Sequence, residues 1–283
     1  MTKPISFSGM TGIQNRIAQT AQNLGENLAK LASGQRINKA ADDSAGLAVS
    51  EHLKSQITSI DQASNNISAG SSLLRTAEGG MGQIGDLLAR GRELAVQSAN
   101  GTMNDQQRKT VNNEFAGIKS EIDRITQTTE FNGQKLLDGQ LGPSAQNPVA
   151  IQAGINNSPS DRISINNIQA MDTNSLGIAS STLDTAANAT ASLQNIDNAI
   201  ATVSQNRAGV GALENRFSSS AQNLSVAKEN MMAADAQIRG LDYASEISLK
   251  SQNDVMLKAG VSALKSGLKT NEKTIGGLLN IKG

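Results

Sequence analysis

Apolar residues recur at every seventh position along most of this chain, and that recurrence limits what it can fold into. Met10, Ile17, Leu24 and Leu31 form a first short row, with Ala21 and Leu28 interleaved at alternating steps of four and three. A longer row follows in Leu53, Ile60, Ile67, Leu74, Met81, Leu88 and Ala95, with mostly small partners at Ala63, Gly70, Ala77, Ile84 and Gly91. Large side chains on one row and small ones on the next let a neighbouring helix approach closely. Sustained over this many heptads, the pattern predicts long packed helices. The second half reverses the order, with a long row Ile196, Val203, Val210, Phe217, Leu224, Met231 and Ile238. A short row ends the chain: Leu257, Val261, Leu264, Leu268, Ile275 and Leu278. The simplest closure pairs long row with long row and one terminus with the other.

The expected fold class is therefore mainly α: a long antiparallel helical coiled-coil or bundle rod, with a small central β-hairpin region and paired N- and C-termini. Residues 112–125 read as a helix with Phe115, Ile118, Ile122 and Ile125 on one face. Alternation at Val149, Ile151, Ala153 and Ile155, a turn-like NNSPSD at 156–161, and then Ile163 and Ile165 predict the hairpin. Residues 170–192, rich in Ser, Thr, Asn and Ala, read as a loop returning to helix. With four Phe, one Tyr and no Trp, the interior has to be filled by aliphatic side chains, which suits thin packing.

The terminal rows are weak. Each apolar side chain gains at most about 1.5–3 kcal/mol on full burial, whereas ordering costs about 1–2 kcal/mol per residue for backbone alone. Half a dozen seam residues per arm, several only alanine-sized, cannot carry an isolated helix. The arms are expected to order only when packed against other copies.

Between the first short row and the first long one lies LASGQRINKAADDSAGLAVSE, Leu31 to Glu51. Gly34 is placed to stop a helix, since glycine accepts the left-handed conformation at a helix C-terminus. Asp42 or Asp43 is placed to accept backbone N–H bonds at the next helix start. The Asp pair as half of a metal site lacks a nearby histidine or third carboxylate.

This segment closely resembles the signature joining the terminal and rod domains of bacterial flagellin. The resemblance continues through DQASNNISAGSSLLRTAEGGM (61–81), RGRELAVQSANGT (90–102), EIDRITQTTEFNGQKLLDG (121–139) and RAGVGALENRF (207–217), in the family's order. It implies a secreted, extracellular subunit of the flagellar filament, exported unfolded and polymerised at the distal tip. Its domains would be 1–40 plus 245–283 as a terminal coiled-coil inner domain, and 41–140 plus 186–244 as a helical rod. Residues 141–185 would be a hairpin and loop segment of that rod. Only 56 residues (140–195) separate LLDG from the second long row, so the outer domains common in the family are not expected. Inter-subunit contacts would fall on Ile17, Leu24, Leu28, Leu31, Leu257, Val261, Leu264, Leu268, Ile275 and Leu278. Arg90, Leu94 and Glu114 match positions where a vertebrate innate receptor docks on family monomers, although Ala89 stands where the family often has glutamine. Implied partners are other copies of the chain, the export apparatus and an export chaperone, filament cap and hook-junction proteins, and that receptor. Near the C-terminus, IRGLDYA (238–244) has Gly240-Leu241 where the family pattern has Asp-Ala. The opening MTKPISFSGM and the ending LLNIKG also depart from it. Alternative readings are a hook–filament junction protein and a coiled-coil adaptor with no flagellar role.

Other motifs carry little. GMGQIG at 80–85 fits a dinucleotide-binding pattern but sits inside the second row, not between strand and helix, and reads as small residues at a close helix contact. His52 is the only histidine and cysteine is absent, so zinc-protease and thiol chemistry have no ligands. Charge balances at 25 basic and 25 acidic side chains, which offers no field for nucleic acid. No signal-peptide-like run opens the chain, and it holds no stretch of about 18 or more apolar residues. No enzyme activity, cofactor or metal is expected. The Asn-X-Ser/Thr sequons at Asn66, Asn100, Asn188 and Asn223 carry no weight, and O-glycosylation of Ser and Thr around 158–192 is implied only by resemblance.

Overall fold

The computed structural model describes residues 7–143 and 149–280, without the side chains of Phe7, Ser8, Thr274 and residues 276–280. Five helices carry the fold: α1 (Phe7–Ser33), α2 (Ser44–Ala99), α3 (Asp105–Thr128), α4 (Ala186–Arg239) and α5 (Tyr243–Asn280). Two small antiparallel ribbons complete it, β1 (Glu130–Phe131) with β2 (Gln134–Lys135) and β3 (Val149–Gln152) with β4 (Arg162–Ile165). The mainly helical class with a small hairpin region is the one the heptads predict. The chain divides into two compact units, residues 1–55 with 230–283 and residues 56–229.

In the unit of residues 56–229, both rows of α2 are buried. Ile60, Ile67, Leu74, Met81, Leu88 and Ala95 line up with Ala63, Ala77 and Ile84 in the interior. The glycines of the small row admit neighbours: a Cβ on Gly70 would lie 3.0 Å from the Phe217 ring, and one on Gly91 would lie 3.1 Å from Phe115. From α4 come Ile196, Val203, Val210 and Phe217, and from α3 Phe115, Ile118, Ile122 and Ile125, forming one cluster. Ion pairs Arg92–Asp197, Glu78–Arg207, Arg75–Glu214 and Asp61–Lys228 ascend one helix while descending the other, so α2 and α4 run antiparallel. Of the glycines in GMGQIG, Gly80 alone meets a packed neighbour, with Leu137 and Thr129 each 2.9 Å from where its Cβ would lie. Gly82 and Gly85 face open space. Gly80 is therefore at a close contact, made with the segment after α3 and not with a helix, and the other two are at none.

Helix α3 starts at Asp105, seven residues before the expected 112. Asn104 and Gln107 form a reciprocal capping box there, each side chain bonding the other's backbone N–H. Arg108, one turn in, is buried and donates to the carbonyls of Ser98, Asn100 and Met103, tying the end of α2 to the start of α3. Helix α4 begins at Ala186, inside the stretch read as loop. Its first turns are alanine-rich and show little periodicity, and Thr185 caps them through its hydroxyl, which accepts from Asn188 N–H at 3.1 Å. The hairpin forms where the alternation predicts it, and its register places Val149 opposite Ile165 and Ile151 opposite Ile163. A second ribbon turns at Asn132-Gly133, both at positive φ (51° and 77°), as a two-residue hairpin loop requires. The irregular stretch before α4 is fastened to α3 by polar side chains. Asn112 accepts from Leu183 N–H, Lys119 donates to the carbonyls of Ala179 and Ser181, and Asp123 accepts from Thr173. Burial pushes the Lys119 ammonium below its ordinary pKa, against the opposing pull of Asp123.

In the other unit, α1 ends at Gly34, whose φ of 69° is left-handed. Asp43 caps α2 by accepting from Gly46 N–H at 2.9 Å, and Asp42 closes the preceding turn by accepting from Asn38 and Lys39 N–H. Those two bonds hold the Asp42 carboxyl below its ordinary pKa. The turn's contribution is therefore present above the usual aspartate range and is lost as pH falls through the lowered value. No helix among the described residues is long and apolar enough to cross a membrane.

Replacing Phe217 with alanine is expected to cost about 3–5 kcal/mol in urea unfolding, since the ring fills the space left by Gly70. Gly80→Val is expected to destabilise as well, whereas Gly82→Ala, in open space and mid-helix, should stabilise by up to about 1 kcal/mol.

Candidate assembly surface

Helices α1 and α5 lie side by side and pack more closely than any other helix pair. The positions α1 turns inward are Met10, Ile13, Ile17, Thr20, Leu24, Asn27 and Leu31, at steps of three and four. From α5 come Glu246, Lys250, Asn253, Leu257, Gly260, Leu264 and Gly267, at steps of four and three. Gly260 on α5 allows a close approach there, since a Cβ on it would lie 3.0 Å from Ile17. Polar Thr20, Asn27 and Asn253 occupy places that apolar residues would fill in a self-sufficient coiled coil, so this seam is thin.

The seam corrects the first expected row. Ile17, Leu24 and Leu31 sit half-buried in it, but Ala21 and Leu28 do not. Each turn is completed three residues after the row, at Ile13, Thr20 and Asn27, and not four after it. Leu28 is consequently 46% exposed while Asn27 is buried. On α5, Leu257 and Leu264 belong to the seam, whereas Val261, Leu268 and Ile275 are 51%, 54% and 59% exposed. They lie four residues after seam positions 257, 264 and 271 and form a separate row on the flank, continued by Ile247. The side chain of Leu278 lies outside the described residues. On another flank of the pair, Ile13, Arg16, Ile17, Met256 and Ala263 border a groove of about 470 Å³.

The residues expected to meet a receptor divide differently. Arg90 is half-exposed and donates to Glu114 at 2.7 Å and Glu93 at 2.9 Å, and these carboxylates raise its pKa. Leu94 is 1% exposed, inside the core cluster. Its assignment as a surface contact is therefore corrected: it projects from the inner side of α2, whereas Arg90 and Glu93 project outward. Among the described residues no group of three or more metal-ligating side chains gathers.

A chain whose long helices pair in reverse order, and whose terminal pair keeps an uncovered apolar row, has the design of a subunit made to join further copies. Bacterial flagellin models match it in both halves, the N-terminal helical region over residues 10–141 and the C-terminal helical region over residues 193–271. It is 37% identical over 250 residues to a flagellin of Halalkalibacterium halodurans, covering 86% of this chain and 90% of the relative. It is 36% identical over 265 residues to the flagellar filament 30.7 kDa core protein of Treponema maltophilum, covering 90% of each. A solved putative flagellar hook-associated protein from Vibrio parahaemolyticus matches 70% of this chain and all of its own at TM-score 0.58 and 17% identity, a likeness of fold alone. The chain belongs to the bacterial flagellin family, and is a structural subunit of the flagellar filament.

Leu94→Ala is expected to lower stability by about 2–5 kcal/mol, as cavities in packed cores do. Arg90→Ala, at the surface, should leave the melting temperature nearly unchanged, as paired thermal melts would read.

Proposed function

We propose that the terminal pair α1 and α5 is the part of the subunit that orders on joining its neighbours, with residues 1–40 and 245–283 forming the inner domain of the polymer. Residues 41–140 and 186–244, with the hairpin and loop segment 141–185, form the helical domain beside it. The observation that carries this is the uncovered row Val261, Leu268 and Ile275 beside a seam partly filled by polar residues. Three such side chains gain about 1.5–3 kcal/mol each when covered, which is where the arms recover what their own thin seam lacks. In a helical homopolymer each copy both covers and is covered, so the contact is head-to-tail and propagates. Ile17, Leu24, Leu31, Leu257 and Leu264 hold the two arms together, and Leu28, Val261, Leu268 and Ile275 meet the next copy.

By its family resemblance the subunit is exported unfolded through the flagellar channel, with the export apparatus and a chaperone as partners, and acts outside the cell against cap and hook-junction proteins. The receptor-facing patch reduces to Arg90 and Glu114, which are exposed and bonded to each other. Arg90→Ala is expected to weaken a reporter-cell response to purified monomer.

Seeded polymerisation tests the main reading. Val261→Ser, Leu268→Ser and Ile275→Ser combined should stop filament growth seen by electron microscopy, while circular dichroism keeps the signal of the long helices. Normal filaments from the triple variant, or from a chain trimmed of either arm, would sink it.

A further inference from the structure

Helices α1 and α4 both stop at one level, where Gln35 and Gly240 pair in a short antiparallel bridge. A helix end leaves its last carbonyls without intrahelical partners. At the end of α4 two of them are taken by the segment that follows α1. Arg36 N–H donates to the Arg239 carbonyl at 2.8 Å, and the Arg36 guanidinium donates to the Ile238 carbonyl at 2.7 Å. That guanidinium also sets a positive charge at the negative end of the helix dipole. In return Arg239, buried at the end of α4, reaches across to the N-terminal side. Its guanidinium donates to the Gln35 side chain, and to Ser50 and Glu51 at 3.3 Å each. Ser50 in turn donates to Asp235 at 2.5 Å, so a second carboxylate stands behind the buried cation.

Two glycines keep the site closed. A Cβ on Gly34 would lie 2.6 Å from the Tyr243 hydroxyl, at the first residue of α5. A Cβ on Gly240 would lie 2.3 Å from the Ala236 carbonyl oxygen. The aspartate of the family pattern at this position would not fit the turn, so the departure in IRGLDYA is part of the geometry.

We propose that Arg239, Arg36 and Gln35 form a two-way clasp, in which Arg36 caps the end of α4 and Arg239 in return binds the Gln35 side chain, so that the segments leading into the two terminal arms order together. Arg239 and Arg36 are positioning residues: they hold residues 35–36 against 238–240 and so set where both arms leave their neighbouring helices. This clasp serves the assembly reading given above, on which its role in filament growth rests. A subunit with one arm docked then presents the other arm in register, where independent hinges would let each arm search alone.

Amide exchange with mass spectrometry, on the full chain both free and in seeded filaments, reads the two strands separately. Arg239→Met is expected to speed exchange about tenfold across residues 33–38 as well as 236–241, the scale of losing bonds to a charged group. Arg36→Ala should speed exchange in both segments too, and residues 196–217 should be unchanged in each variant. Arg239→Lys keeps the charge without the planar fork and should restore only part of the protection. Gln35→Ala, which removes one acceptor and no charge, should loosen the same two segments less and serves if Arg239→Met does not fold. Faster exchange confined to the substituted strand, unchanged exchange in both, or no protection at 33–38 in wild-type chain in either state would overturn the clasp. Failure of wild-type chain to grow on seeds counts against the assembly reading, and the free-chain exchange result stands apart from it.

Discussion

A helix with an apolar stripe along one side cannot bury it alone, and the long helices of this chain depend on such stripes. The stripe has to be covered by another helix, and the order of rows along the chain leaves few ways to do it. Where the stripe is two rows wide, as on α2 with its small residues beside large ones, the chain covers it from within. Phe217 and Phe115, two of the few aromatic rings, fill the room that Gly70 and Gly91 leave. Where the covering helix is thin, as between α1 and α5, apolar residues remain uncovered.

The difference between the two units follows from what fills their seams. Around α2, α3 and α4 the interior is almost wholly apolar, and the polar groups that enter it serve as fasteners. Asn112, Lys119 and Asp123 hold an irregular stretch to α3, and Arg108 closes the turn between two helices. Between α1 and α5 the polar residues occupy the seam itself. A buried asparagine in such a seam costs stability and favours one register over its alternatives. The contact between α1 and α5 is therefore weak, with its register set by those polar residues.

The helix pairings, the presence of the hairpin and the α3 face were legible because each rests on a period that survives in any packing. Boundaries were less so. The start of α3 at Asn104 carried a capping signal, an asparagine three residues before a glutamine, and the Asn132-Gly133 turn carried a hairpin signal, so both were available in the residues. The start of α4 was not, because alanine and serine give no stripe to read. Leu28 was misplaced for a different reason: steps of three and of four from the same row are equally helical, and the more apolar residue was the natural choice. The chain instead turns Asn27 inward. Leu94 was misread because a motif shared by a surface patch does not say which of its members faces out.

By itself the sequence determined the helical class, the reverse order of the rows and membership of a filament-forming family, since periodicity and motif order are properties of the string. Only the tertiary structure decided which apolar row on α5 is covered by α1 and which is left exposed, because that depends on the side each helix turns to its neighbour. It also joined Arg239 to Gln35 and Arg36, some two hundred positions apart in the chain. Hydrogen-bond partners at that separation leave no period for a sequence to show, and only the meeting of two helix ends brings them within reach.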